Sequence, residues 1–250
     1  MRSTDLGFML MSLLILALAG SVTPQEDLFI NQILDRAYKR EAASEAYLKD
    51  YICQANSTVR EPQKDGTAKT LAIEEKTIYR KFPDKRMEKY NTVTEEGKVL
   101  TPEEVAEYQK NQRGQTSMQG GSFFDPKVRA NYTYELMSPD TVKGLPSYVL
   151  RIKPKKKSKD LIDGKAWLHR DNFEVVKLEF RPAKNPKFVK ELNMIINFSE
   201  VQPEFWLPTE LKIDVRAGFL LIKKHFHMHE IRRDYQINIG LPDSIFAEHE

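Results

Sequence analysis

Cysteine is nearly absent from this 250-residue chain, where Cys53 stands alone. One thiol closes no internal disulfide and builds neither a four-cysteine zinc site nor a CxxC redox pair. A surplus of one charge is missing too, since 39 Lys and Arg face 36 Asp and Glu for a net +3. That balance is far from the basic surplus of a dedicated nucleic-acid binder, and no nucleic-acid partner is expected. Catalytic signatures are lacking as well: there is no G-x-S-x-G elbow, P-loop, H-E-x-x-H or dinucleotide fingerprint. The carboxylate pairs Glu74/Glu75 and Glu103/Glu104 read as solvated or capping residues. The expectation is therefore a non-enzyme, with no catalytic residue and no cofactor.

Long apolar runs are confined to one place. Arg2 precedes residues 8–19 (FMLMSLLILALA), and Ala17-Leu18-Ala19 has the small-x-small form that precedes signal cleavage. Twelve residues fall short of the roughly 20 that a membrane-spanning helix needs. Residues 1–19 thus read as a signal peptide and 20–250 as a single domain, exported and soluble in a periplasm; an uncleaved membrane anchor is the other reading. The scarcity of cysteine suits that compartment better than a disulfide-dense secreted scaffold.

Hydrophobic periodicity divides the rest. Ile30, Ile33, Leu34, Ala37 and Tyr38 recur at helical spacing over residues 26–50, after Pro24 and with Glu26 and Asp27 at the start. From Tyr51 the period becomes two, so Cys53 falls in a strand and takes a buried apolar role. Strands follow over residues 67–82 and 84–93, with turns at Lys64-Asp65-Gly66 and Glu96-Gly97. Thr101-Pro102-Glu103-Glu104 opens a second, short helix with Thr101 at the N-cap and Glu104 completing a capping box. Residues 114–130, rich in Gly and Ser with Phe123 and Phe124 outward, read as a mobile loop or lid. Beyond Tyr132 alternation is nearly unbroken, with turns expected at Asp163-Gly164, at Arg170-Asp171-Asn172 and at Ala217-Gly218. Short connections favour antiparallel pairing. The expected fold is mainly β (α+β): a large curved antiparallel sheet, or incomplete barrel, of about ten strands. An N-terminal helix and a short inserted helix cover it.

This pattern resembles the outer-membrane lipoprotein-sorting (LolA/LolB-like) superfamily, as a divergent bacterial member. The likeness is carried by the exported N-terminus, the amphipathic helix from Asp27, the passage from Asp163-Gly164-Lys165-Ala166-Trp167 through Val175-Val176-Lys177-Leu178-Glu179, and Phe205-Trp206-Leu207-Pro208-Thr209-Glu210. The resemblance implies a periplasmic carrier or chaperone for a lipid or lipoprotein acyl chain, held in an apolar groove on the concave sheet face. Its candidate lining is Leu192, Met194, Ile196, Phe198, Leu211, Ile213 and Val215; the same residues also read as a closed core against the N-terminal helix. The alternative is an envelope protein-interaction or sensor module with no lipid cargo.

Two clusters remain. Lys155, Lys156, Lys157 and Lys159 crowd one strand connection and read as a solvated turn or as contact with an anionic membrane surface. His225, His227 and His229 share one strand face. Same-face neighbours stand nearly 7 Å apart along a strand, which is wide for three ligands of one ion. No metal is therefore expected, although these histidines are the candidate set.

Overall fold

Two strand meanders joined side by side form the sheet of this protein. The computed structural model describes residues 24–112, 122–219 and 222–247; the expected signal peptide and residues 114–121 of the Gly/Ser segment lie outside them. Helix α1 (Pro24–Tyr47) leads into β1 (Asp50–Pro62), β2 (Ala68–Lys81), β3 (Lys85–Glu95) and the two-residue β4 (Lys98–Val99). Next come α2 (Pro102–Gln112) and a single turn, α3 (Pro126–Arg129). The second meander is β5 (Tyr132–Val142), β6 (Leu145–Pro154), β7 (Ile162–His169), β8 (Val175–Pro182), β9 (Val189–Gln202), β10 (Phe205–Phe219) and β11 (Ile222–Ile237), followed by α4 (Ser244–Ala247).

All eleven strands make one sheet in the order β4-β3-β2-β1-β11-β10-β9-β8-β7-β6-β5. Every neighbouring pair is antiparallel, and the sheet is open, with β4 and β5 as its two edges. The mainly-β expectation with two covering helices holds. The eleventh strand is β4, too short to leave a periodic signal. The pairing of β1 with β11 is the one non-sequential contact, and it welds the two meanders together.

Local chemistry accounts for the element ends. In α2 the backbone N–H of Thr101 donates to Glu104 Oε2 at 2.8 Å, and Glu104 N–H donates back to Thr101 Oγ1 at 3.3 Å, the reciprocal pair of a capping box. The β5–β6 hairpin turns through Lys143-Gly144 at φ 50° and 83°, the left-handed pair that a type I′ turn demands.

Three local expectations are corrected. Asp163-Gly164 lies inside β7 and Ala217-Gly218 inside β10. Gly164 is present for closeness rather than for turning: a Cβ there would stand 2.3 Å from the Glu179 carbonyl oxygen and 2.5 Å from Phe180 Cβ. The two Phe also point inward. Phe124 is only 2% exposed, and Phe123 packs beside it.

In an antiparallel pair, directly opposite side chains share a face, so the register sorts the sheet into a covered face and an outer face. On the covered face Ile30, Ile33, Leu34 and Ala37 of α1 pack against Leu150, Ile152, Ala166, Leu168, Leu178 and Phe180 of β6–β8. Each such Leu, Ile or Phe contributes about 1.5–3 kcal/mol by leaving water. The amphipathic stripe of α1 thus sits on the second meander. A second cluster joins Leu48, just past α1, to Tyr51, Cys53, Ala55, Ile78 and Leu207. Burial raises the Cys53 thiol to about 11, so it stays protonated and inert at neutral pH.

Substituting Gly164→Ala forces a methyl group into backbone of β8. The expected loss is about 2–4 kcal/mol of unfolding free energy, read from urea midpoints, because β7 and β8 must separate locally.

Candidate functional site

The covered face has three zones, set by what lies above each. Over β5–β9 sits α1. Over β2 and β3 sits α2, whose Val105 is buried, whose Tyr108 hydroxyl reaches Glu74 and whose Tyr108 ring meets Tyr90 edge-on at 5.5 Å. Between them, strands β9, β10 and β11 carry an apolar strip. The register places Met194 opposite Ile213 and Ile213 opposite Met228. It likewise places Leu192 opposite Val215 and Val215 opposite Phe226. Ile196 faces Leu211, and Phe198 continues the same row of β9.

All seven proposed lining residues therefore lie on the covered face. They are not equally free. Met194 is 8% exposed and belongs to the α1 core, at whose margin Leu192, Ile196, Phe198 and Ile213 also pack. Leu211, Val215, Phe226 and Met228 lie beyond that margin and are half-buried. Phe226 and Met228 complete the strip. Their positions alternate with the histidines along β11, which puts them on the opposite face of that strand.

Polar contacts fasten the α1 side. The Arg40 guanidinium donates to Glu174 in the β7–β8 connection and reaches the Glu204 carbonyl at 3.2 Å. Ser122 donates to Glu41. Burial raises the Glu41 carboxyl to about 7; the Ser122 bond pulls the other way, and Glu45, Glu174 and Asp125 add to the rise. A pocket of about 640 Å³ opens at the C-terminal end of α1, between Arg40, Ser44, Tyr47 and the β9–β10 connection at Glu204-Phe205. It lies away from the strip.

On the α2 side the same face is charged and buried, contrary to the reading of Glu74 as a solvated carboxylate. Glu74 is 5% exposed and accepts from the Tyr108 hydroxyl at 2.6 Å. Lys76 Nζ stands 2.8 Å from Glu88 and 2.9 Å from Glu230. Arg232 reaches Glu230 at 2.7 Å, and Ser57 Oγ donates to the other oxygen of that carboxylate at 2.9 Å. Burial works to raise the Glu230 carboxyl, but Arg232 and Lys76 outweigh it and hold it down at about 2. In sequence, each of these residues is a polar position in an alternating strand. Only pairing β1 with both β2 and β11 brings them together.

The other candidates lie off the covered face. Lys155, Lys156, Lys157 and Lys159 are exposed in the β6–β7 connection, with Lys155 Nζ donating to the Ala130 carbonyl at 2.9 Å. The three histidines stand on the outer face of β11, but they part company. His229 turns to Glu210 at 2.8 Å, whereas His225 and His227 converge on Asp214 of β10. Among the described residues no helix is long and apolar enough to cross a membrane.

Comparison with known proteins gives three results. Residues 124–235, from α3 into β11, match a family model described as a family of unknown function (DUF5686). No curated protein matches. The chain is similar in structure to a DUF1329 family protein from Desulfovibrio piger, at 12% identity over 88% of this chain and 99% of that one, with a TM-score of 0.48. It is also similar to a putative outer membrane lipoprotein-sorting protein domain from Vibrio parahaemolyticus, at 12% identity over 86% and 96% with a TM-score of 0.43. A LolA superfamily protein from Nitrosomonas europaea is similar at 14% identity over 90% and 98%, with a TM-score of 0.41. Two of these solved structures carry the lipoprotein-sorting and LolA descriptions that the sequence resemblance names.

Two outcomes test the flanks of the strip. Lys76→Met leaves the half-buried Glu88 and the buried Glu230 short of a cation, so unfolding free energy falls by about 3–5 kcal/mol. The same change at the exposed Lys69, paired with Glu96, leaves the urea midpoint where it was. Glu41 works in the other direction with pH. Its folded pKa of about 7 lies above the ordinary 4.5, so its contribution is complete below about pH 4.5 and is lost as pH rises through 7. Stability followed from about pH 5 to 8 should fall by on the order of 2 kcal/mol more in the parent than in Glu41→Gln.

Proposed function

We propose that the protein is a non-catalytic carrier for an acyl chain, borne by a lipid or a lipoprotein, that lies along the apolar strip of β9–β11. The reading is supported above all by one observation. Leu211, Val215, Phe226 and Met228 form a half-buried apolar patch in the middle of a face whose two flanks are covered by helices. An apolar patch left between two covered flanks is the kind of surface that takes an apolar ligand.

Magnitudes set what the patch must do. A buried CH₂ contributes about 0.8 kcal/mol, so a wholly buried sixteen-carbon chain gains roughly 12 kcal/mol and one covered on a single side about half of that. Association costs about 4–15 kcal/mol. Contact with the strip alone is therefore marginal, and tight holding requires apolar cover on the solvent side as well. The charged cluster beneath α2 gives the strip a polar end, where a chain would stop.

On this reading the protein acts at a cell envelope after export, and the exposed Lys155, Lys156, Lys157 and Lys159 meet anionic headgroups there, each contributing about 1 kcal/mol near such a surface. Cargo transfer then needs only a change of cover, with no bond made or broken.

Native mass spectrometry with lipid extraction, on protein purified gently from its own cells, tests the proposal. A stoichiometric acyl-bearing ligand in the parent, lost in Leu211→Asp and in Val215→Asp, is the expected result. These positions lie outside the α1 core, so both variants keep the parent's circular dichroism. A clean apo mass together with no uptake of a fluorescent fatty acid overturns the carrier reading and leaves the protein-interaction module in its place.

A further inference from the structure

The outer face carries a different chemistry on the same two central strands. Asp214 of β10 is in register opposite His227 of β11, and His225 lies two residues before it on the same face. Asp214 Oδ2 is 2.6 Å from His227 Nε2 and 3.1 Å from His225 Nε2, and the two ring nitrogens are 3.1 Å apart. These are the same three atoms in each distance, so they form a small triangle. The rings stand edge to face, 4.6 Å between centroids, with both Nε2 atoms turned inward.

With its proton on Nε2, each neutral imidazole can donate to Asp214; with the protons on Nδ1, three lone pairs face one another, and one cation between them meets all three. The point equidistant from the three atoms is about 1.7 Å from each, so an ion at zinc's bond lengths of about 2.0–2.2 Å sits roughly 1 Å out of their plane, on the solvent side. Tetrahedral ligation spaces donor atoms about 3.3 Å apart. Two edges are already close to that, and the third opens by a small swing of the part-exposed Asp214 side chain. Arg216 competes at the rim: its Nε points at His225 Nε2 from 3.4 Å while its Nη1 pairs with Glu191 at 3.3 Å.

We infer that Asp214, His225 and His227 bind a borderline divalent transition-metal ion, of which zinc is the type, with water completing the coordination. Two imidazoles and one carboxylate suit zinc, cobalt(II), nickel or copper and do not suit magnesium or calcium, which prefer an all-oxygen shell. His229, held by Glu210, takes no part. The ion bridges β10 and β11 on the face opposite the apolar strip, so its effect is to pin the two strands that floor that strip. The inference is independent of the carrier reading, because no lining residue is a ligand.

Cobalt(II) titration of the untagged full chain, followed by visible absorption, is the test. One equivalent should give the intense bands of a four-coordinate ion in the parent and in His229→Ala, and none in His225→Ala or His227→Ala. All three side chains are at the surface, so every variant folds. Zinc should correspondingly raise the thermal midpoint of the parent and of His229→Ala and leave the other two unmoved. Absence of the bands in the parent overturns the inference, as does their survival in both His225→Ala and His227→Ala or their loss in His229→Ala.

Discussion

Everything central to this molecule depends on β1 finding β11. The two strands pair from Tyr51 opposite Ile237 to Arg60 opposite His227, with an irregularity between Ile52 and Gln54. The joint is tied at its end by groups from both sides. The Asp50 carboxylate accepts from the backbone N–H groups of Ile239, Gly240 and Leu241, while Asn238 accepts from Lys49 N–H and donates to the Tyr47 carbonyl. Without this seam there are two smaller sheets, each with a long unpaired edge. With it, β1 and β11 become interior strands, and the apolar strip and the histidine triangle lie back to back in the middle of the sheet.

The seam also explains why charge is buried where apolar packing would serve. Glu230 of β11, Ser57 of β1 and Glu74 of β2 lie in one row across it, and Lys76 and Arg232 close on that row. Buried ion clusters add little net stability compared with well-packed hydrocarbon. Their value lies in discrimination, since sliding β11 by one residue turns Glu230 to the outer face and sets Ile231 against Lys76. Half of the covered face is thus specified by charge and half by shape, and the strip lies at the boundary.

Much of this was legible in the sequence, in proportion to how local the cause is. The stripe of Ile30, Ile33, Leu34 and Ala37 needs only a period, and the Thr101–Glu104 box needs only four consecutive residues. The alternation of β9 and β10 placed Leu192 to Phe198 and Leu211 to Val215 on one face before any pairing was known. What escaped reading depends on neighbours far away in the chain. Glu74 looks solvated until α2 brings Tyr108 over it. Gly164 looks like a turn until β8 comes close enough to leave no room for a methyl group. The histidines look nearly 7 Å apart along one strand, until the ring nitrogens of His225 and His227 turn together on Asp214 of the next.

The order of the strands also has a consequence in time. The β1 partner closest in sequence, β2, forms within a few tens of residues, whereas its other partner ends at Ile237, near the C-terminus. Pairing at such sequence separation is slow to nucleate, because the intervening chain must first be drawn in. A chain emerging from its N-terminus therefore holds β1 with one side unpaired until β11 has appeared, and α1 has nothing to lie on until β6–β8 follow. Such a molecule is competent only when whole. Truncation by even one strand at the far end removes the seam rather than an edge, and a helper that shields the waiting side of β1 would do more for its yield than any improvement to the core.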